Sequence, residues 1–268
     1  MAKSNKLKPD HIQDFGENGY VVVDGDKAPL TKLRDVVFSE ACDLLDLTEA
    51  DAETFFNNFH KRKLDAGVLN DFRISLIKNV NEKVDAPGLI YESIRKPLSS
   101  LFGPDVATQK KANIVIHQPG DVNIPPVHRD SPPFSNFEVV AWVPLVHCFG
   151  TKAVPLLDRK KSAEGLELLF NPEDGGPEKL SEYFASEGVS LDTDFGNVVV
   201  FWAGLLHGVP VNGEKETRWS FNVRYKNLFS PYGDGSTGFT EDFRILEMSP
   251  LSRIGMDEEK KQLEKGSS

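Results

Sequence analysis

Three observations predict an α+β fold, with N-terminal helices packed on one sheet of a strand-rich remainder. Apolar residues recur at helical spacing from residue 29 to residue 103. From Lys110 onward the text changes to short β-branched and aromatic runs cut by Pro, Gly and Asn turns. Helices first and strands afterwards favour helices stacked on a sheet, and two facing sheets would form a squashed barrel. The expected organisation is a single domain over residues 1–268. It has a mainly helical part at 29–103, a strand core at 110–230 and a charged tail at 255–268.

Residues 19–23 are short, β-branched and closed by Asp24 and Gly25, which reads as an opening strand. Leu30, Leu33, Val37, Ala41, Leu44 and Leu45 then share one helical face. Thr48 and Asp51 form a capping pattern ahead of a second helix carrying Phe55, Phe56 and Phe59. Further helices run through Phe72, Leu76 and Val80, and from Leu89 to Leu101. Strands are expected at 112–118, 137–146, 165–170, 197–202, 206–211 and 218–228, with one helix at 177–186. The last strand alternates. Trp219, Phe221, Val223 and Tyr225 share a face suited to the helices, and Arg218, Ser220, Asn222 and Arg224 share the other. Four polar residues turned inward demand partners, because burying them bare is costly. On the strand before, Asn113 and His117 are assigned inward.

Bulk composition narrows the function. A net charge of −10 with no basic stripe argues against nucleic acid and against anionic membrane surfaces. Cys42 and Cys148 are too few for a disulfide framework and read as reduced, buried thiols. The longest apolar run, 198–206, is too short to span a bilayer, and residues 1–8 lack the apolar stretch of a signal peptide. A soluble cytoplasmic protein is expected. Its oligomeric state has no signature.

The chemistry concentrates at His128-Arg129-Asp130, answered downstream by His207. Two imidazoles and a carboxylate make a three-point face for a ferrous ion and leave three positions open for oxygen and a co-substrate. With six His in the chain, an isolated His-x-Asp is commonplace. Context gives it weight. Pro125 and Pro126 end a strand-like run before His128, an apolar strand at 196–202 precedes His207, and Arg218 opens a strand eleven residues after it. Arg218 supplies a fixed cation where an acidic co-substrate can anchor.

These residues resemble the Fe(II)/2-oxoglutarate-dependent dioxygenases, and within them the phytanoyl-CoA-dioxygenase-like branch. The likeness rests on residues 15–23, His128-x-Asp130, the stretch from Gly196 to His207-Gly208, and Arg218-x-Ser220. The closing segment through Phe229 and Tyr232 faintly resembles oxygenases of carbohydrate gene clusters. The resemblance implies a double-stranded β-helix (jelly-roll) core. It implies His128, Asp130 and His207 as Fe(II) ligands and O2 as the second co-substrate. Arg218 and Ser220 would hold 2-oxoglutarate, with Asn113 and Thr151 as further contacts. The implied reaction hydroxylates a C–H of a small metabolite while 2-oxoglutarate becomes succinate and CO2. Desaturation, cyclisation and epimerisation share the same first step. Asp130 fills the position that halogenating relatives leave to chloride, which favours oxygenation. His117, Arg129, Asn222 and Arg224 point to a polar substrate, Trp142 to a cavity wall, and residues 60–85, 119–136 and 229–240 to a lid.

Two other classes compete. A cupin-type isomerase or hydrolase would use more His ligands and has no need of Arg218. A non-catalytic jelly-roll binding protein would have lost a ligand, and none is lost.

Overall fold

The computed structural model describes residues 9–130, 136–171, 173, 175–232 and 239–266. Helix α1 (Pro9–Asn18) leads into strand β1 (Tyr20–Asp24). Helices α2 (Lys27–Leu44), α3 (Ala52–Asn57), α4 (Ala66–Lys83) and α5 (Ala86–Phe102) follow, with a 3-10 turn at Phe59–Arg62. Aspartates start most of them. Asp26, Asp51, Asp65 and Asp85 each accept a hydrogen bond from a backbone N–H of the first turn, which satisfies donors the helix cannot use itself. The cap before α3 is therefore Asp51 alone. It sits one residue before the helix, so the Thr48–Asp51 box expected from the sequence does not form.

Strands β2 (Val106–Gln109), β3 (Asn113–His117), β4 (Glu138–Pro144) and β5 (Val154–Leu156) come next. Helices α6 (Arg159–Phe170) and α7 (Pro177–Glu187) interrupt before β6 (Val189–Leu191), β7 (Asn197–Trp202) and β8 (Arg218–Asn227). Helix α8 (Phe239–Asp242), strand β9 (Phe243–Glu247) and helix α9 (Pro250–Gly266) close the described chain. The large sheet runs β1-β7-β4-β8-β2-β9, with β3 also on β8, and every pair is antiparallel. A smaller sheet pairs β5 with β6. Single bridges extend it, from Leu156 to His207 and from His207 to His128. Two layers of very unequal size thus stand where two full facing sheets were expected, and the arrangement does not close into a barrel.

The helices cover one face of the large sheet. Trp219 is fully buried, with its ring centroid 4.9 Å from both Phe56 and Phe59, and Phe55 and Phe72 complete the cage. Tyr225, on the same face of β8, donates to the Pro87 carbonyl of α5. The alternation read from the sequence for β8 therefore holds, and it turns Arg218, Ser220 and Asn222 away from the helices.

Two expected strands differ. Residues 165–170 are the second half of α6, whose N-cap Asp158 accepts from Lys161 N–H. Gly165 permits close packing of this helix. A Cβ there would meet Leu206 Cδ1 at 2.7 Å and Leu180 Cδ1 at 3.1 Å. Residues 206–211 form only the single bridges at His207, since Pro210 has no N–H to give a ladder. The tail expected at 255–268 is helical as far as Gly266.

Candidate metal centre

His128 and His207 are joined through their backbones. Each N–H donates to the other's carbonyl at 2.9 Å. This pair sets the two rings 4.4 Å apart between centroids. Each Nδ1 is engaged with a backbone carbonyl, of Pro126 at 2.8 Å for His128 and of Leu205 at 3.0 Å for His207. A carbonyl can only accept, so Nδ1 carries the hydrogen and Nε2 keeps a free lone pair. Both Nε2 atoms face Asp130 Oδ1, at 3.8 Å and 4.0 Å. One ligand atom from each residue lies within 4.8 Å of the others, and among the described residues this is the one such group. Burial holds the His207 ring below the usual imidazole range, while Asp130 opposes that shift. A neutral ring with an oriented lone pair is what a metal ion requires.

The triad opens into a cavity of about 360 Å³ between the two layers. Its wall includes Trp142 of β4, Phe201 of β7, Arg218 and Asn222 of β8, and Asn113 and His117 of β3. Phe201 packs edge-on against His207 at 5.0 Å. Arg218 is 2% exposed, and its one hydrogen bond runs from a terminal nitrogen to the Ala153 carbonyl. Its Nε has no partner, and among the described residues no carboxylate pairs with it. Burial pushes its pKa down, to about 10, which leaves it charged at neutral pH. The neighbouring Cys148 thiol is pushed up to about 12 by burial and supplies no counter-charge. His117 Nδ1 and Nε2, Ser220 Oγ and Asn222 Oδ1 are likewise buried without a hydrogen bond of normal geometry. Orphaned polar atoms gathered around one cation are the mark of a site built for a polar, anionic ligand.

Solved structures share this architecture. A non-heme monooxygenase, ThoJ in a nickel complex, superposes with a TM-score of 0.51 at 13% identity, covering 90% of this chain and 84% of its own. The non-heme alpha-ketoglutarate-dependent carbocyclase SnoK, from nogalamycin biosynthesis, gives 0.53 at 15% identity, covering 86% and 88%. The chain has the fold of non-heme oxygenases. AviO1 from Streptomyces viridochromogenes Tue57 gives 0.51 at 15% identity, covering 86% of this chain and all of its own. No family model and no curated protein matches the sequence.

Against this oxygenase fold the expected site residues divide. His128, Asp130 and His207 converge, and Arg218, Asn113, His117, Asn222 and Trp142 reach the same cavity. Ser220 lies buried between Arg218 and Asn222 on the same face of β8. Three residues lie elsewhere. Thr151 closes a turn instead, its hydroxyl donating to Glu214 and accepting from Gly213 N–H. Arg224 is bonded to the buried Glu138. Arg129 is half-buried and is not among the residues that line the cavity. Of the expected lid, 131–135 and 233–238 fall outside the described residues. Asp121 and Asn123, from the expected lid segment 119–136, line the cavity, and Phe201 lines it without having been expected there. Period two along β7 could have found Phe201. Asp121 and Asn123 sit in an irregular loop, where no period points.

Proposed function

We propose that the protein is a non-haem Fe(II)/2-oxoglutarate-dependent oxygenase with a jelly-roll-type core, which hydroxylates a C–H of a small polar metabolite. The phytanoyl-CoA-dioxygenase-like branch is the nearest reading of its motifs. The observation that carries the proposal is the pairing, in one cavity, of the His128–Asp130–His207 triad with the buried cation of Arg218, which no carboxylate among the described residues neutralises.

His128 Nε2, Asp130 Oδ1 and His207 Nε2 would hold Fe(II). Bound there with 2-oxoglutarate, iron supplies oxygen activation coupled to decarboxylation to succinate and CO2. The chain supplies the placement. The Pro126 and Leu205 carbonyls fix the ring orientations. Arg218 offers a planar donor pair to the far carboxylate of 2-oxoglutarate, and Ser220 Oγ–H adds one more bond. Trp142, Val154 and Phe201 keep that half of the cavity apolar and exclude water. Asn113, Asp121, Asn123 and Asn222 line the rest and favour a polar substrate. Ring closure is the second reading, because SnoK, which shares the fold, is a carbocyclase. The two outcomes diverge only after hydrogen leaves the substrate.

The test is iron content after anaerobic reconstitution, together with the visible charge-transfer band that 2-oxoglutarate produces on chelating Fe(II). His128→Ala, Asp130→Ala and His207→Ala should each lose iron and band while remaining folded, because the ligands sit at a cavity and not in the core. Full iron occupancy in the His207 variant would refute the assignment. A mass-spectrometric screen for succinate-coupled gain of one oxygen, over sugars, nucleotides and amino-acid derivatives, then identifies the substrate.

A further inference from the structure

Resting on that reading, one cavity residue has a more specific part than substrate contact. His117 is the cross-strand partner of Arg218, β3 against β8. Side chains of directly opposed residues lie on one face with Cβ atoms about 4.5–5.5 Å apart. Both residues line the cavity, and both are almost fully buried. Neither His117 ring nitrogen makes a hydrogen bond of normal geometry, and the Asp121 backbone is the one acceptor that acts on the ring. A plain core histidine would make at least one such bond, since buried polar atoms are nearly always bonded.

We propose that His117 and Arg218 form a two-cation clamp for the far carboxylate of 2-oxoglutarate, with His117 taking up a proton from water as the carboxylate arrives. Without the carboxylate the ring is neutral. Burial first, and the Arg218 charge second, hold its pKa down to about 4, against the weaker pull of Asp121. A carboxylate between the two residues reverses the second influence and rewards the charged ring directly. The other ionisable residues on the cavity wall are His128, Asp130 and His207, the metal triad. Binding then consumes a proton, so affinity rises as pH falls, by up to roughly tenfold per pH unit when uptake is complete. This coupling applies to the bound anion and not to the metal, because His117 lies outside the ligand triad.

The experiment is calorimetric titration of 2-oxoglutarate into Zn(II)-loaded protein, near pH 6 and near pH 8, in buffers of different ionisation enthalpy. Nitrogen NMR of the His117 ring accompanies it, assigned by its disappearance in His117→Gln. Wild type should take up protons near pH 6 and bind more tightly there, and the His117 ring should change from neutral to imidazolium on binding. His117→Gln and His117→Asn should lose the proton uptake and the pH dependence, and bind roughly tenfold more weakly near pH 6, as expected for one charge-assisted bond. Thermal unfolding of both variants reports folding separately. Unchanged pH dependence in the variants, or a ring that stays neutral with ligand bound, overturns the clamp and leaves the oxygenase reading intact. Wild type with no affinity for 2-oxoglutarate removes the oxygenase reading and the clamp together.

Discussion

Burying a guanidinium without a carboxylate beside it costs free energy, and Arg218 bears that cost in full at 2% exposure. Arg218→Lys keeps the charge and loses the forked geometry. The variant should bind 2-oxoglutarate more weakly by about 1.5–3 kcal/mol, read by titrating the charge-transfer band. Arg224→Lys should not, since Arg224 is committed to Glu138. The reverse pattern would move the anchor three pleat repeats along β8, to Arg224. His117 gives a second expectation, on stability. Its folded pKa of about 4 lies below the ordinary 6.5, so below pH 6.5 the unfolded chain binds the extra proton. The stability present above that value is lost as pH falls toward 4, by at most about 3 kcal/mol. Urea titrations at neutral pH and near pH 4.5 measure it, and His117→Gln should be less sensitive to acid than wild type. An equal loss in the variant would show that other groups dominate. The triad, Arg218 and the inward faces of β3 and β8 were legible because spacing and alternation encode them. Thr151 and Arg224 instead bond to Glu214 and Glu138, neighbours that residue type and spacing do not reveal.

At the scale of elements, β8 joins the two functions of the large sheet. Its apolar side grips the helices through Trp219, and its polar side forms the cavity. Trp219→Ala should cost about 3–5 kcal/mol, as large aromatic truncations in packed cores do, read as a lower midpoint in denaturant. Retained stability would mean that the Phe55, Phe56, Phe59 and Phe72 cage closes without it. Long periodic stretches such as α2, α4 and β8 could be read from the chain. Strands β5 and β6, three residues each, are too short for an alternation to register. Residues 165–170, expected as a strand, are the second half of α6.

For the molecule as a whole, the negative balance of the sequence comes partly from its architecture. Five aspartates are spent on helix starts, and within this acidic chain the cavity wall carries the single cation Arg218. The mutual backbone pairing of His128 and His207 has a further bearing, on the order of events during synthesis. These residues belong to segments distant in the chain, and contacts of long sequence separation close late in folding. A chain that has emerged only past Asp130 carries one imidazole and one carboxylate, with nothing to fix their directions. The three-ligand grip then exists only once the β7–β8 region has docked. If the triad holds iron as proposed, metal capture would follow completed folding, and a truncated or misassembled chain would hold no redox-active ion.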